Sequence, residues 1–81
     1  MMFDRHTYNP VYDYTKLRGR VKEKLGTDGA FAKALGRTAN YMTRIFQNKT
    51  ALDSKDILRA CEVLDIEPED IGLYFFTQKV H

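Results

Sequence analysis

Cysteine is all but absent from this sequence, with Cys61 alone, and proline appears only twice. A single thiol excludes an internal disulfide framework and leaves a zinc knuckle without a second sulfur ligand, and His6 and His81 lie near the ends with no ligand spacing between them. The expected setting is a reducing cytoplasm. No apolar run approaches the roughly 18 residues that span a bilayer, and residues 1–15 carry charge and tyrosine where a signal peptide would have an apolar core. There is no repeated or biased tract, and no Ser/His/Asp, Cys/His or phosphate-loop pattern. The expectation is a protein with no catalytic residues, cofactor, metal, membrane contact or small-molecule substrate. With 81 residues the chain forms one core and no second.

What is present is charge, unevenly spread. The net charge is only +2. From Tyr14 to Thr50, however, nine basic residues (Lys16, Arg18, Arg20, Lys22, Lys24, Lys33, Arg37, Arg44, Lys49) stand against Glu23 and Asp28, a net of +7. From Ala51 to His81 the balance is −4, and Met1 to Asp13 adds −1. A basic segment of this kind either solvates helix faces or meets an anionic partner.

Residues 1–11 lack periodicity and contain the turn signal Asn9-Pro10, which predicts a loose leader before a domain over residues 12–81. Tyr14, Leu17, Val21 and Leu25 lie on one helical stripe, with Thr15 as the expected cap and Gly26 as the stop. Thr27 caps a second short helix through Phe31, Ala32 and Leu35 that Gly36 ends. Thr38 opens a third, carrying Met42 and Ile45 or Phe46 inward and leaving through Asn48, a residue that tolerates positive φ. Asp53 or Ser54 caps a fourth whose Ile57, Leu58, Cys61 and Leu64 are expected to face the core. Pro68 begins a fifth, with Ile71 and Phe75 on one face. No segment alternates as a strand does. The predicted fold is all-α, a compact domain of five short helices.

The segment that suggests function runs from Thr27 to Asn48. Two helices crossing over a three- or four-residue turn need a small residue at their contact, a glycine to turn the chain, and an apolar residue returning to the shared core. Ala32, Gly36 and Met42 fill those roles in order. With Phe31, Leu35, Thr38 and Asn48 around them, Thr27 to Lys49 resembles the helix-turn-helix of the Cro and lambda-type phage repressor superfamily. Tyr12 to Arg20, the fourth helix and Tyr74-Phe75-Phe76-Thr77 are similar to a family of small Cro-like proteins of phages and prophages in Gram-positive bacteria. The resemblance implies a lambda-repressor-like domain, a homodimer on a palindromic double-stranded DNA operator, and transcriptional control of phage genes in the cytoplasm of a bacterial or phage-infected cell.

In such a site the recognition helix, about Thr38 to Gln47, lies in the major groove. Ala39, Asn40, Thr43, Arg44 and Gln47 are then the base-reading set: Asn40 or Gln47 suits adenine, Arg44 guanine, and Ala39 and the Thr43 methyl a thymine methyl. Arg18, Thr27, Thr38, Tyr41, Lys49 and Thr50 are the candidates for the DNA backbone, Tyr41 having packing along the protein surface as its alternative. Tyr74, Phe75, Phe76 and Val80 are the candidate dimer contact, one of them closing the core. Two positions depart from the superfamily. Asp28 stands where a phosphate-binding glutamine is common, and a carboxylate repels phosphate while suiting a helix N-terminus. Phe46 stands where glutamate is common and is expected to pack under the following loop or against a partner subunit. A different class of function stays open, a protein-binding adapter or antitoxin keeping the same fold. Arg18, Arg44 and Lys49 sharing a face with the start of helix three would favour DNA, and scattered basic residues with an apolar groove near Phe75 would favour the adapter.

Overall fold

A computed structural model describes residues 11–79. Five α-helices follow in order: α1 (Thr15–Leu25), α2 (Asp28–Ala34), α3 (Ala39–Phe46), α4 (Ser54–Leu64) and α5 (Ile71–Phe75), the last entered through a single 3-10 turn at Pro68–Asp70. None is long enough to persist alone, so packing holds them. α1 packs on α2, α4 and α5, and α2 also packs on α3 and α4. Leu17, Val21, Phe31, Met42, Ile45, Leu64 and Phe75 are fully buried where these helices meet.

Local chemistry sets the boundaries. Thr27 accepts from the Ala30 N–H at 3.0 Å, Thr38 from the Tyr41 N–H at 3.1 Å and Asp53 from the Asp56 N–H at 2.8 Å, so α2, α3 and α4 begin on side-chain caps. α2 and α3 end alike. In α2 the Arg37 N–H reaches the Ala32 carbonyl and the Gly36 N–H that of Lys33; in α3 Lys49 reaches Arg44 and Asn48 reaches Ile45. Both endings need a left-handed residue, supplied by Gly36 at φ 72° and Asn48 at φ 60°. A four-residue turn, Leu35 to Thr38, thus joins α2 to α3. Ala32 and Met42 are buried on either side of it, as the spacing predicts.

Two expectations need correction. Thr15 does not cap α1: Asp13 does the local bonding, accepting from the Thr15 N–H at 2.9 Å and hydroxyl at 2.6 Å. Leu58 does not face the core. It is 62 % exposed, while Asp56, Ala60 and Leu64 form the buried line of α4. Phe46 packs edge-on against Tyr14 with ring centres 5.8 Å apart.

The chain ends also meet. Tyr12 and Gln78 form an antiparallel bridge, with the Asp13 N–H bonded to the Thr77 carbonyl at 2.7 Å and the Lys79 N–H to the Val11 carbonyl at 2.9 Å. On its other side Tyr12 is held by Asn48, whose amide oxygen accepts the Tyr12 N–H at 2.8 Å and whose amide nitrogen donates to the Tyr12 carbonyl at 3.1 Å. Asn48 therefore ends α3 and anchors the N-terminal segment to it. Of the expected leader, residues 1–10 lie outside the described residues, and Val11 is tied down.

Candidate nucleic-acid interface

The inward side of α3 is fixed by Met42 and Ile45, both with no exposed surface. The helical repeat then turns Ala39, Asn40, Thr43, Arg44 and Gln47 outward, and all five are exposed. The Thr43 hydroxyl donates to the Ala39 carbonyl at 3.2 Å, within its own helix. Thr38 and Thr27, each exposed, spend a lone pair on capping and keep the hydroxyl proton to donate. Lys49 is exposed just beyond α3, and Thr50 is half-buried.

Four of the nine cations in the basic segment already have work inside the fold. Arg20 donates from Nε to the Leu64 carbonyl and from Nη2 to the Asp65 carbonyl, both at 2.8 Å, and so closes the end of α4. Lys24 meets Asp65 at 3.4 Å. Arg18 bonds Asp28 at 3.1 Å and lies over the Phe46 ring at 4.9 Å, which places it beside the C-terminal end of α3, away from the end where base reading begins. Arg37, in the turn just before α3, grips Asp56 with Nε at 3.2 Å and Nη2 at 3.1 Å and meets Asp53 at 3.4 Å. Lys16, Lys22, Lys33, Arg44 and Lys49 have no ion-pair partner among the described residues. Farther along, Arg59 reaches the Ala34 carbonyl at 3.3 Å and Glu62 at 3.7 Å. Arg44 is thus the one arginine of the five described that the fold does not employ.

Tyr41 adopts the packing role. Its hydroxyl donates to Asp56 at 2.7 Å and its ring lies under the Arg37 guanidinium at 4.6 Å. Burial drives the Asp56 carboxyl upward, but hydrogen bonds from Tyr41 and Arg37 outweigh it and hold the group below the ordinary 3.8. The hydrogen bond and charge of Asp56 raise Arg37 in turn, and desolvation followed by the Asp56 bond raises the Tyr41 phenol. The sequence carried one local trace of this cluster, the Asp53-Ser54-Lys55-Asp56 spacing of a helix start. The partners 15 and 19 residues away left none.

Phe75 is 2 % exposed and belongs to the core, which removes it from the candidate dimer contact. Tyr74 is half-buried, Phe76 is 48 % exposed with Leu73 beside it at 46 %, and Val80 lies outside the described residues. Phe76 meets Tyr12 edge-on at 5.7 Å.

Comparison with known proteins places this geometry. A family model described as "Protein of unknown function (DUF739)" matches residues 10–78. The solution structure of the modulator of repression (MOR) of the temperate bacteriophage TP901-1 from Lactococcus lactis aligns with a TM-score of 0.68 and 41% identity, covering 86% of this chain and 95% of that one. No curated protein matches. The chain therefore shares its all-α fold with a phage regulatory protein.

Proposed function

The chain belongs to the DUF739 family, and from that membership and its likeness to a phage modulator of repression we propose that it is a phage or prophage regulator that reads duplex DNA with the outer face of α3. One observation carries the reading. Arg44, uncommitted and exposed, stands on that face among Ala39, Asn40, Thr43 and Gln47, while the other four described arginines are bonded within the fold. Asn40 and Gln47 offer donor and acceptor together, as adenine requires, and Arg44 offers the fork that guanine accepts. Lys49, Thr50, Thr38 and Thr27 flank the face and supply phosphate contacts. Two copies, joined through Phe76 and Tyr74, would set two such faces on a palindromic operator. The protein acts by binding, with no catalytic step, in the cytoplasm of the bacterial host.

A second reading has its own support, in the neutralised cations beside α3. Arg37 faces two carboxylates and Arg18 one, so the two arginines flanking the helix offer phosphate little net charge. The same outer face would then dock on a protein partner, and the chain would modulate repression without touching the operator. Selection of bound sites from random duplex DNA at several salt concentrations separates the two. A recovered palindrome, with affinity falling steeply as salt rises, supports the operator reading. Weak binding to all sequences alike ends it and leaves the protein-docking reading.

A further inference from the structure

Among the described residues Asp56 is the only buried charged side chain, 4 % exposed. A carboxylate out of water is strongly unfavourable unless paired and hydrogen-bonded, and an apolar residue at such a position commonly stabilises a fold as well or better. What the ionic group adds is direction, because hydrogen bonds weaken steeply with angle whereas apolar contacts are non-directional. The bonds to Asp56 come from particular places. Arg37 closes the turn before α3, and Tyr41 is in the first turn of α3 itself. Asp56 lies in the first turn of α4, held by the Asp53 cap. The start of α3 is thereby fastened to α4 by a two-pronged ion pair and a phenol bond of 2.7 Å. α3 has eight residues and two fully buried side chains, Met42 and Ile45. Phe46 against Tyr14 and Asn48 bonded to Tyr12 hold the far end of the helix, so its roll at the near end, where base reading begins, falls to the Asp56 bonds.

We infer that Arg37, Asp56 and Tyr41 form a positioning cluster that sets the roll of α3, so that Tyr41 acts on recognition through Asp56 and not by touching DNA. This rests on the operator reading above. With side chains a helix has a radius of about 5–6 Å, so a roll of about 10° carries an outward group about 1 Å sideways. That is enough to spoil a two-point contact from Asn40 or Arg44 to a base edge, while a contact to phosphate through long, mobile lysines tolerates it.

The test is Tyr41→Phe, which keeps the aromatic ring over the guanidinium and removes one hydroxyl. Its affinities for the selected operator, for single-base variants of it and for unrelated duplex DNA are measured beside those of the wild type, with hydrogen exchange followed by NMR on the free proteins. The expected result is a folded protein whose preference for the operator over its variants falls about tenfold, whose affinity for unrelated DNA is unchanged, and whose amides from Met42 to Phe46 exchange faster while those of α1 do not. A folded Tyr41→Phe protein with the wild-type preference overturns the inference. Should that variant not fold, Arg37→Lys is held to the same outcomes, since it keeps the charge and loses the two-pronged grip. If the wild type itself shows no sequence preference, the operator reading fails separately, and exchange alone decides: faster α3 amides uphold the positioning role, unchanged ones refute it.

Discussion

Replacing Asn48 separates two contributions that meet in one residue. Its backbone is left-handed at φ 60°, and its side chain makes both hydrogen bonds to Tyr12. Each partly buried bond contributes about 0.5–1.5 kcal/mol net, so removing the pair costs about 1–3 kcal/mol. A left-handed backbone costs an ordinary side chain roughly 1–2 kcal/mol that glycine escapes. Asn48→Gly, losing the bonds at a backbone position that asparagine and glycine both tolerate, should therefore be destabilised by about 1–3 kcal/mol, and Asn48→Ala, bearing both losses, by about 2–5 kcal/mol. In urea the midpoint should move with the slope unchanged. For a domain of this size each kcal/mol lowers the melting temperature by about 4–8 °C. In both variants the Asp13 and Lys79 amides, which bridge the two chain ends, should exchange faster with solvent. If Asn48→Gly matches the wild type, the Tyr12 clamp contributes nothing. If Gly and Ala variants are equally stable, the left-handed exit is not what selects asparagine.

Three further outcomes are expected. Under the operator reading, Arg44→Ala should relax preference at one base position at a cost of about 1–3 kcal/mol, and Lys49→Ala should weaken all sequences alike and reduce the salt slope by about one; site selection with each variant checks this, and an unchanged motif after Arg44→Ala removes it from the reading set. Because Asp56 is held below 3.8 when folded, its stabilisation is complete above that value and lost as pH falls through the lower folded one. Urea titrations from pH 7 downward should show the wild type losing its advantage over Asp56→Asn below about pH 4, and a constant gap would contradict the assignment. Arg20→Met keeps the apolar stem but leaves the Leu64 and Asp65 carbonyls without their donor, and should cost about 1–3 kcal/mol in thermal or urea unfolding.

The boundaries of α2 and α3 were legible because their causes are local. A threonine three residues before a helical N–H, or a glycine or asparagine just past the last turn, signals itself wherever the rest of the chain lies. α4 shows where this ends. Ile57, Leu58, Cys61 and Leu64 have the right spacing and apolar character, yet the buried line runs through Asp56 and Ala60. An aspartate earns an inward position only through Arg37 and Tyr41, which distant chain segments bring to it. The same holds for the site. The exposed set on α3 follows from helical repeat and from Met42 and Ile45 facing in. The depletion of its flanking charge does not follow, because pairing Arg18 with Asp28 and Arg37 with Asp53 and Asp56 requires the folded arrangement. The Tyr12–Gln78 bridge is a contact of the two chain ends, and a single bridge is too short to leave an alternating pattern.

The division between the two kinds of cation bears on how the protein can be adjusted after synthesis. Four of the five described arginines serve as fasteners between helices, while all seven lysines are exposed and, among the described residues, Lys24 alone has a carboxylate partner. Chemistry that neutralises amines, such as acetylation, acts on lysine and spares guanidinium. The outer lysine charge can therefore be neutralised in steps while the fasteners hold, so that surface charge and frame are adjustable independently.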